Sequence, residues 1–199
     1  MTTWERPTVS IEGEAVALGP LRRELIPLYA RWQGDFFVQR TYRTPGPVTL
    51  DEAAARYERR AAGDGNFWFT IYERASWRPI GTTEISEIDW RGRTASYGIL
   101  IGEAEGRGKG YGTETTRLML DYAFTALGLH SVMLTTDSFN LAGQRAYQKA
   151  GFRALGRRRE STLLNGKLWD TVYMECLASE FTSPVLAQVF VPDLPRETT

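Results

Sequence analysis

Residues 105–112 read EGRGKGYG, and residues 140–152 read NLAGQRAYQKAGF. In the first stretch glycine takes every second position, at Gly106, Gly108, Gly110 and Gly112. Glycine puts no Cβ in the way and accepts positive φ, so several backbone N–H groups can converge on one point. A helix starting directly after such a loop adds the partial positive charge of its N-terminus. The pattern predicts a strand-to-helix turn that holds an anion the size of a diphosphate. In the second stretch Asn140 stands as N-cap of a helix reaching Lys149, and Gly151 stops it.

Working outward, residues 113–127 carry Thr115, Leu118, Met119, Tyr122, Ala123 and Ala126 at the spacing of one buried helical face, ended by Gly128. Upstream, residues 66–73 (NFWFTIYE), 78–88 (RPIGTTEISEI) and 94–101 (TASYGILI) are aromatic and β-branched. They predict three antiparallel strands, with a hairpin loop at 89–93. Residues 14–19 read as a first strand, 21–33 as a helix, and TPGPV at 44–48 as a break. Thr49 then caps a helix to about Ala62, with Glu52 as its reciprocal partner. Downstream, residues 130–136 predict a strand. Residues 153–163 and 168–176 predict two more around Asn165-Gly166, a type I′ hairpin signal. Residues 1–181 are expected to form a single domain. Residues 182–199, with three prolines, are expected to be a loosely docked tail.

The chain has 199 residues, 42% apolar and 24% charged, a composition that builds a core. Lys+Arg and Asp+Glu are both 24, so net charge gives no reason to expect nucleic acid or an acidic membrane as partner. Cys176 is the single cysteine, which excludes an internal disulfide and a thiolate metal cluster. With no apolar signal core at residues 1–10 and no apolar run near the ~20 residues that span a bilayer, a cytoplasmic protein is expected.

Two phosphate-binding loops fail on spacing. A Walker loop needs glycine five residues before its Gly-Lys, where Glu103 stands, and Ser or Thr where Gly110 stands. A dinucleotide fingerprint would need glycine at Tyr111 or Thr113. The remaining pattern, Arg107-x-x-Gly110-x-Gly112, resembles the acyl-CoA loop of the GNAT superfamily of N-acetyltransferases. Residues 140–152 resemble that superfamily's downstream motif, with Asn140, Tyr147, Lys149, Gly151 and Phe152 in register. Gly143, Gln144 and Arg145 depart from its more usual small or apolar residues. The resemblance is strongest to the branch containing ribosomal-protein N-terminal and spermidine acetyltransferases.

The resemblance implies an α+β fold: a twisted, mixed, mostly antiparallel sheet flanked by helices, with one parallel strand pair splayed open. It implies acetyl-CoA as cosubstrate and a primary amine, on a small molecule or a peptide N-terminus, as acceptor. It places the pantetheine arm along the backbone of Ile99, Leu100 and Ile101. It places the diphosphate on the amides of Arg107, Gly108, Lys109, Gly110, Tyr111, Gly112 and Thr113. Asn140 is either purely a helix cap or a cap that also touches the cofactor. Tyr147 is either the general acid for the leaving thiolate or a core aromatic beside Ala142, Ala146 and Ala150.

The base is more open. Glu84 sits in a central strand, where a carboxylate is out of place unless it faces a cleft. Glu87, three residues on, is expected on the opposite face. An exposed strand face explains either residue, and a water chain is a further route for the amine proton. The Tyr29–Tyr42 region is a candidate for shaping the acceptor cleft, with Trp32 and Asp35 placed to meet an aromatic or cationic substrate; the same residues also read as an ordinary helix end. His130 reads as structural, because no metal-ligand companions and no G-x-S-x-G motif accompany it. Arg157, Arg158 and Arg159 read as a solvated strand end or, for one of them, a contact to the cofactor's 3′-phosphate. Rival readings are a non-catalytic acyl-CoA-binding module and an antibiotic-modifying acetyltransferase. The resemblance also makes a homodimer plausible.

Overall fold

A computed structural model describes residues 4–42, 46–63 and 65–193. Eight strands form one open sheet in the order β1-β2-β3-β4-β5-β6-β8-β7. They are β1 (Ile11–Glu12), β2 (Val16–Pro20), β3 (Phe67–Glu73), β4 (Pro79–Asp89), β5 (Thr94–Ile101), β6 (Ser131–Asp137), β7 (Arg153–Leu164) and β8 (Lys167–Leu177). Five α-helices flank them: α1 (Ile26–Gly34), α2 (Phe36–Tyr42), α3 (Leu50–Ala61), α4 (Tyr111–Asp121) and α5 (Leu141–Ala150). Every strand pairing is antiparallel except β5–β6. This is the mixed sheet with one parallel pair that the sequence predicts.

Two apolar layers hold the sheet. On one face Leu118, Met119, Leu120 and Ala123 pack on Ile71, Ile80, Ile85, Val132 and Met174. On the other, Leu25, Tyr29 and Trp32 pack on Tyr72 and Leu100. The buried α4 positions include Thr115, Leu118, Met119 and Ala123 of the predicted stripe. Asn165 (φ 52°) and Gly166 (φ 70°) make the expected hairpin turn. Thr49 Oγ1 accepts from the Glu52 amide at 3.1 Å, although the Glu52 carboxylate pairs with Arg56 rather than returning to the cap.

Several boundaries differ from the sequence reading. The helix expected over 21–33 begins as a 3₁₀ turn at Arg23–Leu25 and becomes α-helical at Ile26, where Pro27 fits the first turn. Helix α2 was unpredicted; Asp35 Oδ1 caps it by accepting from the Phe37 amide at 2.8 Å. The break at 44–48 falls partly on residues 43–45, outside the described residues. Helix α4 ends its α-helical run at Asp121 and passes into a π-turn, Tyr122–Ala126. There the Leu127 amide donates to Tyr122 O at 3.1 Å, an i→i+5 bond. The widened turn sets the Tyr122 ring edge-on to Phe67 and Phe69, with centroids 5.5 and 5.2 Å away.

The C-terminal segment is held at one buried carboxylate. Asp121 is fully buried; one oxygen accepts from Thr125 Oγ1 at 2.8 Å, the other from the amides of Val185 (2.9 Å) and Leu186 (2.8 Å). Leu186 closes the core over it. Removing an acceptor that serves two buried amides leaves both without partners. Asp121→Ala is therefore expected to cost about 2–4 kcal/mol in urea unfolding. A loss below about 0.5 kcal/mol would show that solvent replaces the carboxylate freely.

Candidate active site

Strands β5 and β6 pair only at Thr94–Ser131, Ala95–Val132 and Ser96–Met133. Past these positions β5 stays with β4, through Gly81–Ile101, while β6 stays with β8, through Asp137–Thr171. The outer edge of β5 from Tyr97 onward is left without a strand partner. A cleft of about 700 Å³ opens there. Its walls are residues 97–101 of β5, Leu134–Asp137 of β6, one side of α5, and Phe37, Val38, Arg40, Thr41 and Tyr42 of α2.

The glycine loop closes one end. Gly106, Arg107, Gly108, Gly110, Gly112 and Thr113 line the cleft. Gly108 and Gly110 have φ of 75° and 86°, a region strained for any residue with a Cβ. Gly110 is also the N-cap of α4, so the loop delivers its backbone to a helix N-terminus. Lys109 and Tyr111, expected at the diphosphate, do not line the cleft with their side chains. The Lys109 ammonium lies 3.7 Å from Glu73, and the Tyr111 hydroxyl donates to Glu73 at 2.7 Å. Their contribution to an anion site is confined to the backbone. An unpaired strand edge leading to a glycine-rich loop that presents its backbone fits a long polar arm ending in a diphosphate.

Ile99, Leu100, Ile101, Asn140 and Tyr147 all line the same cleft. Asn140 Oδ1 caps α5 by accepting from the Gly143 amide at 3.1 Å, and its Nδ2 donates to Thr136 Oγ1 at 3.0 Å. The side chain thereby ties α5 to the end of β6. Tyr147 stands edge-on to Tyr97 and Phe152, with centroids 6.4 and 6.2 Å away. Burial pushes its phenol up to about 12, so it keeps its proton throughout the neutral range. Among the described residues its hydroxyl has no hydrogen-bond partner. Tyr97, whose hydroxyl shares a hydrogen bond with Thr116 Oγ1 at 2.9 Å, is raised further by burial.

Glu84 is not part of the cleft wall. It stands behind Gly98, which is: a Cβ built on Gly98 would fall 2.7 Å from Glu84 Oε1. Burial, and next the Glu84 charge, raise the phenol of Tyr42, another wall residue. Glu84 therefore approaches from the α1–α3 side of the sheet, whereas Tyr147 belongs to the core on the α4–α5 side. The expected opposition of Glu84 and Glu87 does not hold. A bulge between Ser86 and Asp89, with Glu87 at φ 52°, turns the Glu87 carboxylate to Ser96 Oγ at 2.6 Å. By strand alternation Ser96 shares a face with Gly98.

The cleft wall draws on the expected Tyr29–Tyr42 region through α2, while Asp137 of β6 escaped the sequence reading. Trp32 is buried and donates to Glu103 at 2.7 Å, so α2, one element later, faces the cleft in its place. Asp35 lies 3.7 Å from Arg107 and joins α2 to the glycine loop. The signal for α2 was Asp35 after Gly34, a cap hidden by the helix preceding it. Asp137, 1% exposed, also lines the cleft and accepts from Thr162 Oγ1 at 2.8 Å. His130 takes part through its backbone, bonded to Arg93 and Ala178. The Cys176 thiol is buried and pushed up to about 11 by that burial. Arg157, Arg158 and Arg159 lie exposed on β7, away from the cleft wall.

Comparison with known proteins accords with this geometry. A spermidine N(1)-acetyltransferase of Vibrio cholerae is 30% identical over 67% of this chain and 76% of its own. A probable N-acetyltransferase of Bacillus subtilis is 36% identical over 57% of this chain and 62% of its own length. A crystal structure of a V. cholerae spermidine N-acetyltransferase, in complex with CoA and spermine, superposes with a TM-score of 0.76 at 25% identity, covering 83% of this chain and 97% of that one. No helix of the described residues is long and apolar enough to cross a membrane. The acetyltransferase (GNAT) domain family matches residues 16–153, and the chain belongs to that family of acyltransferases, which draw their acetyl group from acetyl-CoA.

Proposed function

We propose that the protein transfers an acetyl group from acetyl-CoA to a primary amine by direct attack of the amine on the thioester. The observation that carries this reading is Tyr147: a protonated phenol on the wall of the β5–β6 splay, beyond the end held by the glycine loop. Acetyl-CoA supplies the activated acyl group. The loop amides hold its diphosphate, and the β5 edge from Ile99 to Ile101 aligns its arm as an added strand would be aligned. Glu84, at the α1–α3 side, takes a proton from the attacking ammonium or amine, and Tyr147 gives its proton to the departing sulfur. The two groups sit on opposite sides of the sheet, which suits an acceptor and a leaving group on opposite sides of one carbonyl.

The acceptor wall is α2. The relatives named for spermidine support a small-molecule amine as acceptor, and a peptide N-terminus presents the same nucleophile. A reducing, cytoplasmic setting agrees with the single buried Cys176.

Thiol release from acetyl-CoA across an amine library tests the activity itself. Tyr147→Phe should lower kcat about 10²–10⁴-fold while CoA affinity by calorimetry stays within roughly twofold. Unchanged turnover would remove Tyr147 as the acid. An absence of turnover in the parent on every amine, with CoA bound, would favour a binding module.

The pH profile follows from the direction of the phenol's shift. A general acid works below its pKa and fails above it. With Tyr147 pushed up to about 12, no descending limb should appear below about pH 10. A limb falling between pH 7 and 9 would assign the acid elsewhere.

Gly98→Ala places a methyl on the Glu84 carboxylate. Both Gly98→Ala and Glu84→Gln should reduce kcat about tenfold or more near pH 7, with the deficit shrinking at high pH, where the amine arrives deprotonated. A deficit independent of pH would rule out Glu84 as base.

A further inference from the structure

The glycine loop has two sides, and only one faces the cleft. Gly106, Gly108, Gly110 and Gly112 line the cleft, while Glu105, Lys109 and Tyr111 do not. The three outward side chains share one neighbour, the turn between β3 and β4. Glu73 closes β3, and its carboxylate accepts from Tyr111 Oη at 2.7 Å and lies 3.7 Å from Lys109 Nζ. Arg78, on the other arm of the turn, lies 3.8 Å from Glu105. The turn's acid meets the loop's base and phenol; the turn's base meets the loop's acid.

The turn is itself fixed. The Glu73 amide donates to Arg78 O at 2.9 Å, and the Trp77 amide to Glu73 O at 2.8 Å. Ser76 Oγ donates to Glu73 Oε2 at 2.6 Å, so both carboxylate oxygens are occupied. Trp77 adopts a φ of 56°, unusual for a residue with a Cβ, and its ring packs in the α1–α3 core. Hydrogen bonds from Ser76, then Tyr111, hold the Glu73 carboxyl below the usual carboxylate range, so it stays charged where the enzyme works.

We propose that this turn braces the diphosphate loop from behind, and that Glu73 is a positioning residue for cofactor binding. The inference rests on reading residues 105–113 as the diphosphate site. A loop with four glycines in seven residues has more backbone freedom to lose on binding than one of that length with few glycines. Ordering it in advance moves that cost from binding to folding. The outward residues provide the grip, and the glycines keep the inward face clear. Of the two contacts at Glu73, the charge-assisted bond from Tyr111 is the stronger; the Lys109 pair is half-exposed and screened. Tyr111 is also the first residue of α4, so fixing it fixes the helix N-terminus that faces the anion.

The test is calorimetric titration of CoA into the full chain, with steady-state kinetics on the same preparations. Glu73→Ala is expected to weaken CoA binding and raise KM for acetyl-CoA about tenfold, equivalent to about 1.4 kcal/mol. KM for the amine, and kcat at saturating acetyl-CoA, should stay within roughly twofold, a split that general destabilisation does not produce. Glu73→Gln, which keeps an acceptor for Tyr111, should recover most of the affinity. Tyr111→Phe removes only the hydroxyl and carries the same test should Glu73→Ala fail to fold: a loss of about threefold supports the brace, and unchanged affinity overturns it. Parent protein that binds CoA no more tightly than Glu73→Ala overturns the brace alone. Parent protein that does not bind CoA overturns the diphosphate reading along with it.

Discussion

Two parallel strands that share only three paired positions organise this molecule. Beyond Ser96 and Met133, β5 is committed to β4 and β6 to β8, and neither can satisfy the other. A backbone edge in a protein interior is costly unless something pairs with it. Here the edge opens on a cleft, which leaves it accessible to an extended ligand. Everything at the site is arranged along that gap. The glycine loop continues β5 to one end, α5 enters from β6 on one side, and α2 covers the other.

The gap also explains the division between its walls. On one side the cleft presents main-chain groups, the β5 edge and a loop with four glycines facing it. Binding through such groups needs small residues at set places and tolerates much variation around them. Asn140 shows the economy of the arrangement, because one amide caps α5 and ties it to Thr136 at the end of β6. Tyr147, two turns later on α5, takes its position from Tyr97 and Phe152, and both ring contacts remove water from the phenol. The packing that places the group also sets its protonation.

What could be read from the sequence follows from how local each cause is. The caps at Thr49 and Asn140, the Asn165-Gly166 turn and the buried stripe of α4 depend on residues within a turn or two of each other, and the structure repeats them. The glycine loop was legible because backbone binding leaves a compositional trace. Causes that act across the fold left none. The π-turn at Tyr122 sets its ring against Phe67 and Phe69, more than fifty residues upstream. The reversal of Glu87 comes from a bulge that brings it to Ser96, and the burial of Trp32 from its packing with Tyr72 and Leu100 of the sheet. The motif speaks only for the backbone amides of Lys109 and Tyr111; it gave no sign that their side chains meet Glu73, on another strand.

This asymmetry bears on how far relatives inform the acceptor. A TM-score of 0.76 at 25% identity shows that the framework survives extensive replacement of side chains. That is the behaviour expected where the shared chemistry is carried by backbone and a few fixed positions. The α2 wall is different in kind. Phe37, Arg40, Thr41 and Tyr42 reach the cleft with side chains from a seven-residue helix, and Asp137 reaches it from a strand end. Arg40 and Arg107 both stack on the Phe37 ring, at 4.1 and 4.2 Å, which sets an aromatic ring and two guanidinium groups at the wall's rim. A rim so charged adds repulsion to every extra cationic group a ligand carries, opposed by the Asp137 carboxylate on the cleft wall. That balance is written in side chains that the shared fold leaves free to change.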